Sequence, residues 1–284
     1  MIRTEEVQLP QGTIRYRELG EGPPLVFVHG YLVDSRLWDK AAQELSSGHR
    51  CILPDWPMGS HVLPMGPDAD LSPYGFADLI DGFLAALDLD DVTIVGNDSG
   101  GAMCQVLATR RPERIGRLVL TNCDTYDQFP PGIFKLLPPL VKLPGAQAVA
   151  SIPFRIGALR RASFAPFAKK KIDPALIDSW FASQADAAIR RDTVKYTVDM
   201  NKRYTLEAAA KLTGFDRPTL IAWGADDSVF KLENAQRLAR TIPDARLETI
   251  PDAKTFVSLD QPQRLAELIG AFVAEGAGSP AAKT

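Results

Sequence analysis

Gly96-Asn97-Asp98-Ser99-Gly100 sets a carboxylate and a hydroxyl side by side between the apolar run 92–95 and a helix-forming stretch. A sharp strand-to-helix turn needs small residues two positions either side of its apex, where the backbone is crowded. Gly96 and Gly100 have that spacing about Asp98, whereas Ser99 is framed by Asn97 and Gly101. Asp98 is therefore read as the apex and nucleophile, with the Ser99 backbone N–H aimed at the same site. A carboxylate needs no deprotonation near neutral pH, since its ordinary pKa is about 4. It can attack an epoxide, a carbon bearing a halide, or an activated carbonyl.

Two more segments end strands in the same way. In Val28-His29-Gly30-Tyr31 the glycine lets the chain turn so that the Tyr31 N–H can face a developing oxyanion. His29 reads first as a histidine satisfied by nearby backbone, and it is retained as a substrate contact. In Trp223-Gly224-Ala225-Asp226-Asp227 a carboxylate, Asp227, could orient a catalytic base. The other histidines are His49, which precedes a strand, and His61, in a loop leaving a strand's carboxyl end. Loops on that face are where sites concentrate. His61 is accordingly expected as a relocated base, within hydrogen-bond or one-water reach of Asp98.

The elements that must position these residues follow from pattern. Residues 7–9 and 14–16 alternate apolar with polar around Gln11-Gly12, as an antiparallel hairpin does. Stretches 25–28, 51–55, 92–95, 118–120, 218–223 and 247–250 read as buried strands. Helices are expected at 35–45, from the Ser72-Pro73 cap through Leu87, and at 100–111, 232–241 and 261–273. The alternation argues for a mostly parallel sheet flanked by helices. It breaks across 124–210, which is proline-rich and then helical at 174–185 and 187–204. That stretch reads as a helical cap over a core of 1–123 and 211–275. The tail 276–284 is small and polar and is expected to be disordered.

Taken together, the H-G after the third strand, G-x-nucleophile-x-G after the fifth, a cap after the sixth and W-G-x-x-D after the seventh resemble the α/β-hydrolase superfamily over essentially the whole chain. The resemblance implies the α/β-hydrolase fold, an eight-stranded, mostly parallel sheet with an inserted cap, and a hydrolase. An aspartate at the elbow is similar to the branch of haloalkane dehalogenases and epoxide hydrolases. By that resemblance Asp98 is the nucleophile, Asp227 the triad acid, and Tyr31 and Ser99 the oxyanion-hole amides. Asp124 sits where some members place the acid instead, and a cap tyrosine such as Tyr126 would contact substrate.

The departures are as informative. The family's catalytic histidine precedes a phenylalanine between the last strand and last helix; here that position is Thr255, before Phe256, and no histidine follows His61. Ser99 replaces the tryptophan that helps dehalogenases hold halide, and Leu32 replaces a proline of epoxide hydrolases. A threonine hydroxyl is a poor base near pH 7. Hydrolysis of an Asp98 ester would lose general-base help worth ~10²–10⁴-fold. Thr255 is retained as a substrate contact only. Three functions stay open: a hydrolase of a small hydrophobic ester, epoxide or halide with an atypical or absent base; a lyase, isomerase or cyclase in which Asp98 moves a proton; and a silent binding protein.

Composition narrows the classes. The chain has 284 residues, 45% hydrophobic and 24% charged, with formal net charge −3. No basic stripe calls for nucleic acid, and Lys169-Lys170-Lys171 reads as a solvated face. Apolar runs are too short to span a bilayer, and the polar Met1-Ile-Arg-Thr-Glu-Glu start is unlike a signal peptide. Cys51, Cys104 and Cys123 read as buried thiols of a reducing, cytoplasmic protein. No metal-ligand spacing occurs. The expectation is a small hydrophobic substrate, no metal or organic cofactor, no nucleic acid and no membrane.

Overall fold

The computed structural model describes residues 2–143 and 156–277. Eight strands, β1 (Arg3–Leu9), β2 (Gly12–Leu19), β3 (Pro24–Val28), β4 (Arg50–Pro54), β5 (Val92–Asp98), β6 (Ile115–Cys123), β7 (Thr219–Gly224) and β8 (Ala245–Ile250), form one sheet in the order β1-β2-β4-β3-β5-β6-β7-β8. The hairpin β1–β2 and the β2–β4 pair are antiparallel, and all other pairs are parallel. The central strands bury both faces because helices cover both, which is why β5 is buried at every position.

Helix α1 (Asp39–Leu45), α2 (Pro73–Ala86) and α3 (Ser99–Arg110) follow β3, β4 and β5. The start of α2 is fixed as the sequence suggests: Ser72 accepts from the Gly75 N–H, with Pro73 at the first turn. The expected helix 35–45 divides into a 3₁₀ turn, Ser35–Trp38, and α1. Asp34 caps the turn through the Arg36 N–H. Similar local caps divide the expected cap helices. Pro174–Trp180 gives way to a 3₁₀ turn over Ala182–Ala185. The expected 187–204 becomes Ala187–Val198 and Lys202–Lys211, with Asn201 capping the second through the Arg203 N–H. Between β6 and β7 the described residues carry only helical elements. The final helix, Pro262–Ala277, runs two residues into the expected tail, of which 278–284 lies outside the described residues.

Two sheet-face cores hold the elements. One gathers Val26, Val28, Phe76, Phe83, Ile94 and Met103; the other gathers Leu25, Phe27, Trp38, Leu220 and Ile269. The helical stretch between β6 and β7 is joined to the rest of the chain by polar contacts. Trp180 Nε1 donates to Asp34 Oδ1 (3.2 Å), the Met65 N–H to Asp192 Oδ2 (2.8 Å), and the Phe256 N–H to the Phe167 carbonyl (2.8 Å).

Candidate active site

Asp98 closes β5 and opens α3 with φ 53° and ψ −133°. A non-glycine residue at such φ is strained by about 1–3 kcal/mol, and the surrounding packing must enforce it. Three glycines make the bend possible. A Cβ on Gly96 would lie 2.7 Å from Gly101 Cα, one on Gly100 2.3 Å from the His29 carbonyl, and one on Gly30 2.1 Å from Asp98 Oδ2. The chain thus brings the β3 loop against the elbow, and the Tyr31 N–H donates to Asp98 Oδ2 at 3.1 Å. Leu32 also has positive φ (58°), so the loop that presents the Tyr31 amide is itself bent hard.

Asp98 is 7% exposed and stands at the floor of a cavity of about 600 Å3, counting its open mouth. The walls are Tyr31, Leu32, Ser99, Pro130, Pro131, Phe134, Leu137, Ser163, Phe164, Phe167, Met200 and Phe256. Burial in this apolar setting pushes the Asp98 carboxyl up to about 7, against the Tyr31 and Ser99 amides, which favour its ionised form, while the Asp227 charge adds to the rise.

Asp124, at the end of β6, is fully buried beside it. Its Oδ2 accepts from Ser99 Oγ at 3.1 Å, and its Oδ1 has no hydrogen-bond partner. Burial and the Asp98 charge hold its carboxyl well above the ordinary range. Two buried carboxyls that feel each other's charge cannot both ionise readily, so the pair holds at least one proton near neutral pH. Tyr196, on the helix Ala187–Val198, is also fully buried, with Asp124, Ser99 and Asp98 among its electrostatic neighbours; its hydroxyl makes no hydrogen bond of good geometry.

Asp227 lies where the β7 end was expected to place an acid, and the chain's own donors occupy it. Asn122 Nδ2 and Thr255 Oγ1 each donate to its Oδ2 at 2.8 Å; the Val229 and Phe230 N–H groups donate to Oδ1 at 2.7 and 3.1 Å. Burial raises its pKa, and these donors oppose the rise. Thr255 is fully buried and does not line the cavity; its hydroxyl fills the place opposite Asp227 where a base would be oriented. Asn97 Nδ2 ties this corner together, donating to Thr121 Oγ1, the Asn122 carbonyl and the Thr255 carbonyl at 2.8, 3.1 and 2.7 Å.

The structure therefore gathers Asp98, Ser99, Tyr31, Asp124 and Asp227 around one point. It does not gather the other candidates. His61 Nε2 faces Asp192 Oδ2 of the helix Ala187–Val198 at 3.4 Å; no hydrogen bond joins it to Asp98, and it does not line the cavity. Its loop is tied to that helix, which turns the ring toward Asp192. His29 is satisfied by backbone: its Nδ1 bonds the Gly30 carbonyl (2.9 Å), and Nε2 accepts from the Trp56 N–H (2.9 Å). Burial lowers its pKa, and the ring is neutral and structural rather than a substrate contact. Tyr126 bonds Thr241 Oγ1 through its hydroxyl (2.8 Å) and lies under Arg237, 3.6 Å from ring centroid to guanidinium, away from the cavity lining. Thr255 serves Asp227 and not a ligand.

Sequence reasoning missed Asn97, Asn122 and the aromatic wall of Phe134, Phe164 and Phe167. Asn122 had a usable signal, a polar amide two residues before Asp124, just after the apolar run 118–120. Among the described residues no cluster of three or more His, Cys, Asp or Glu side chains could hold a metal ion.

Residues 23–262 match the family model described as alpha/beta hydrolase fold. The chain is 28% identical over 272 residues to haloalkane dehalogenase 2 of Mycobacterium tuberculosis, covering 91% of each chain. It is 27% identical over 278 residues to a cis-3-alkyl-4-alkyloxetan-2-one decarboxylase of Shewanella oneidensis, covering 92% of this chain and 85% of that one. A loop variant of a haloalkane dehalogenase from Bradyrhizobium elkanii superimposes with a TM-score of 0.81 at 19% identity, covering 97% and 98% of the two chains. At that identity the structural likeness shows the fold alone.

Proposed function

The chain belongs to the α/β-hydrolase family, and from that premise we propose that Asp98 is a covalent nucleophile acting on a small hydrophobic electrophile, an alkyl halide, epoxide or ester. The observation that carries the reading is the Asp98 carboxylate at the crest of the elbow, one oxygen engaged by the Tyr31 amide, at the floor of an apolar cavity. Oδ2 stays on the Tyr31 amide, with the Ser99 amide also bonded to the carboxylate, while Oδ1 attacks. In the halide case a bond forms between Oδ1 and the substrate carbon, the carbon–halogen bond breaks, and the halide leaves with the electron pair. Asp124 keeps the shared proton, so that Asp98 presents a carboxylate.

The ester is then slow to leave. Water attacking its carbonyl carbon would place negative charge on Oδ2, which the two amides can hold. The proton of that water has no nearby imidazole to take it: Thr255 donates its own hydrogen bond to Asp227. Release without a general base runs ~10²–10⁴-fold slower than with one. The same observation favours a second reading, in which turnover needs no water. The name of the Shewanella oneidensis relative describes decarboxylation of a four-membered cyclic ester. A carboxylate that attacks such a ring and is expelled as carbon dioxide departs would need no base at position 255.

The test is intact-mass analysis after incubation with 1-bromohexane and, separately, 1,2-epoxyhexane. The reading expects one alkyl group per chain, mapped to the peptide holding Asp98 and absent from Asp98→Asn. No adduct with either probe, together with no consumption of either, would remove the nucleophilic role.

A further inference from the structure

We infer that the exposed leucine face around Leu136, Leu140 and Leu143 docks on the surface of an anionic phospholipid bilayer, in place of the sequence-based expectation of no membrane contact. The inference starts from charge. Residues 128–172 contain eight lysines and arginines and no aspartate or glutamate, in a chain whose net charge is −3. Arg160 and Arg161 pair with Asp178, and Lys169 pairs with Asp226 and Asp252. Lys135 and Lys142 make no ion pair among the described residues, and each directly precedes a leucine of the face.

The second observation is exposure. Five of the eight large hydrophobic side chains exposed among the described residues are Leu136, Leu140, Leu143, Ile156 and Leu159. Leu136 is 65% and Leu143 58% exposed, whereas Pro138 and Val141 between them are buried. Leu136 ends the 3₁₀ turn Gly132–Leu136, Leu140 lies in the short helix Leu137–Val141 and Leu143 stands just beyond it; with Pro138 and Val141 packed inward, the segment presents these leucines to the surroundings. Exposed leucine flanked by lysine is the arrangement by which a surface helix enters the interface of an anionic membrane.

The third is continuity with the cavity. Phe134 and Leu137 from this segment, and Ser163 and Phe164 at the end of Leu159's helix Gly157–Ser163, line the cavity over Asp98. The Phe134 and Phe167 rings meet at 6.0 Å, so the two segments adjoin. A face docked on lipid would set the apolar opening against the bilayer, where a hydrophobic substrate would be concentrated. No helix among the described residues is long and apolar enough to cross a membrane, so the contact is with its surface. The inference does not depend on the chemistry Asp98 performs.

Flotation of the full chain with vesicles tests it. The expected result is co-flotation with phosphatidylcholine vesicles containing phosphatidylglycerol, weakening as salt rises, and little with pure phosphatidylcholine. Lys135→Gln/Lys142→Gln should weaken binding by about 25-fold, roughly fivefold per lysine. Leu136→Ser/Leu140→Ser should weaken it at least as much, with the far-UV spectrum and melting temperature unchanged. Three outcomes overturn the inference: no binding to the anionic vesicles, binding equal on both vesicle types and indifferent to salt, or loss by the lysine but not the leucine substitutions, which would mark a site for a soluble polyanion. A concentration-dependent dimer in sedimentation, abolished by the leucine substitutions, would also overturn it by assigning the face to a second copy of the chain. The salt series on the unaltered protein decides the question even if a variant fails to fold.

Discussion

Replacing Asp98 with asparagine should make the protein more stable, by an amount that grows with pH. In the unfolded chain this carboxyl titrates at its ordinary 3.8; in the fold, burial raises it to about 7. Below 3.8 both states hold the proton, and the carboxyl behaves like a neutral amide. Between 3.8 and about 7 the unfolded chain has released the proton and the folded chain keeps it, so folding takes up a proton and stability falls as pH rises. Above about 7 the deficit is complete. At about 1.4 kcal/mol per pH unit the difference amounts to about 4 kcal/mol, an upper limit because Asp124 shares the pair's charge. Asparagine keeps the shape, tolerates positive φ better than most residues, and can still accept from the Tyr31 N–H. The assay is urea unfolding of both proteins at intervals from about pH 5 to pH 8.5, with the midpoint difference converted through a common slope. The reasoning is refuted if the gain is the same at both ends, or if the variant is the less stable protein at about pH 8.

Thr255→His should restore release of the Asp98 ester: an imidazole there can donate to Asp227 as Thr255 now does and present its other nitrogen to water, shortening adduct lifetime by ~10²–10⁴-fold. The larger side chain costs about 1–3 kcal/mol of overpacking, and a folded variant with unchanged lifetime counts against the assigned place of the missing base. The rate of adduct formation should climb through about 7 to a plateau, falling roughly a hundredfold by about pH 5, since only the ionised Asp98 attacks; a flat profile followed by stopped-flow halide release would contradict this. Gly30→Ala should cut alkylation by ~10²-fold or more, because its Cβ would meet Asp98 Oδ2 at 2.1 Å, and a variant that keeps the wild-type rate in the same assay would show the loop to be free to move.

The parts of this architecture legible in the sequence are those set by local chemistry. Gly96 and Gly100 announce the elbow because no residue with a Cβ fits those positions, and Gly30 places the Tyr31 amide for the same reason. The strands are legible because a sheet covered on both faces demands apolar runs, as at 25–28. Legibility fails where the partner is distant in sequence. His61 sits on the expected side of the sheet, yet its ring direction is decided by Asp192, 131 residues away. Tyr126 is decided likewise by Thr241 and Arg237. The Asn122–Asp227–Thr255 cluster needs three strand ends brought together before any one of those side chains acquires a meaning. Between β6 and β7, hydrophobic period alone joined helices that Asn201 and the turn at Ala182–Ala185 separate.

The covalent role proposed for Asp98 is tested most directly in a crystal of the unaltered protein exposed to 1-bromohexane. The account requires continuous density from Asp98 Oδ1 into a hexyl chain lying between Phe134, Phe164 and Met200, with Oδ2 still at hydrogen-bond distance from the Tyr31 N–H. An intact bromohexane in the cavity beside an unmodified carboxylate, or alkylation at any other residue, would contradict it.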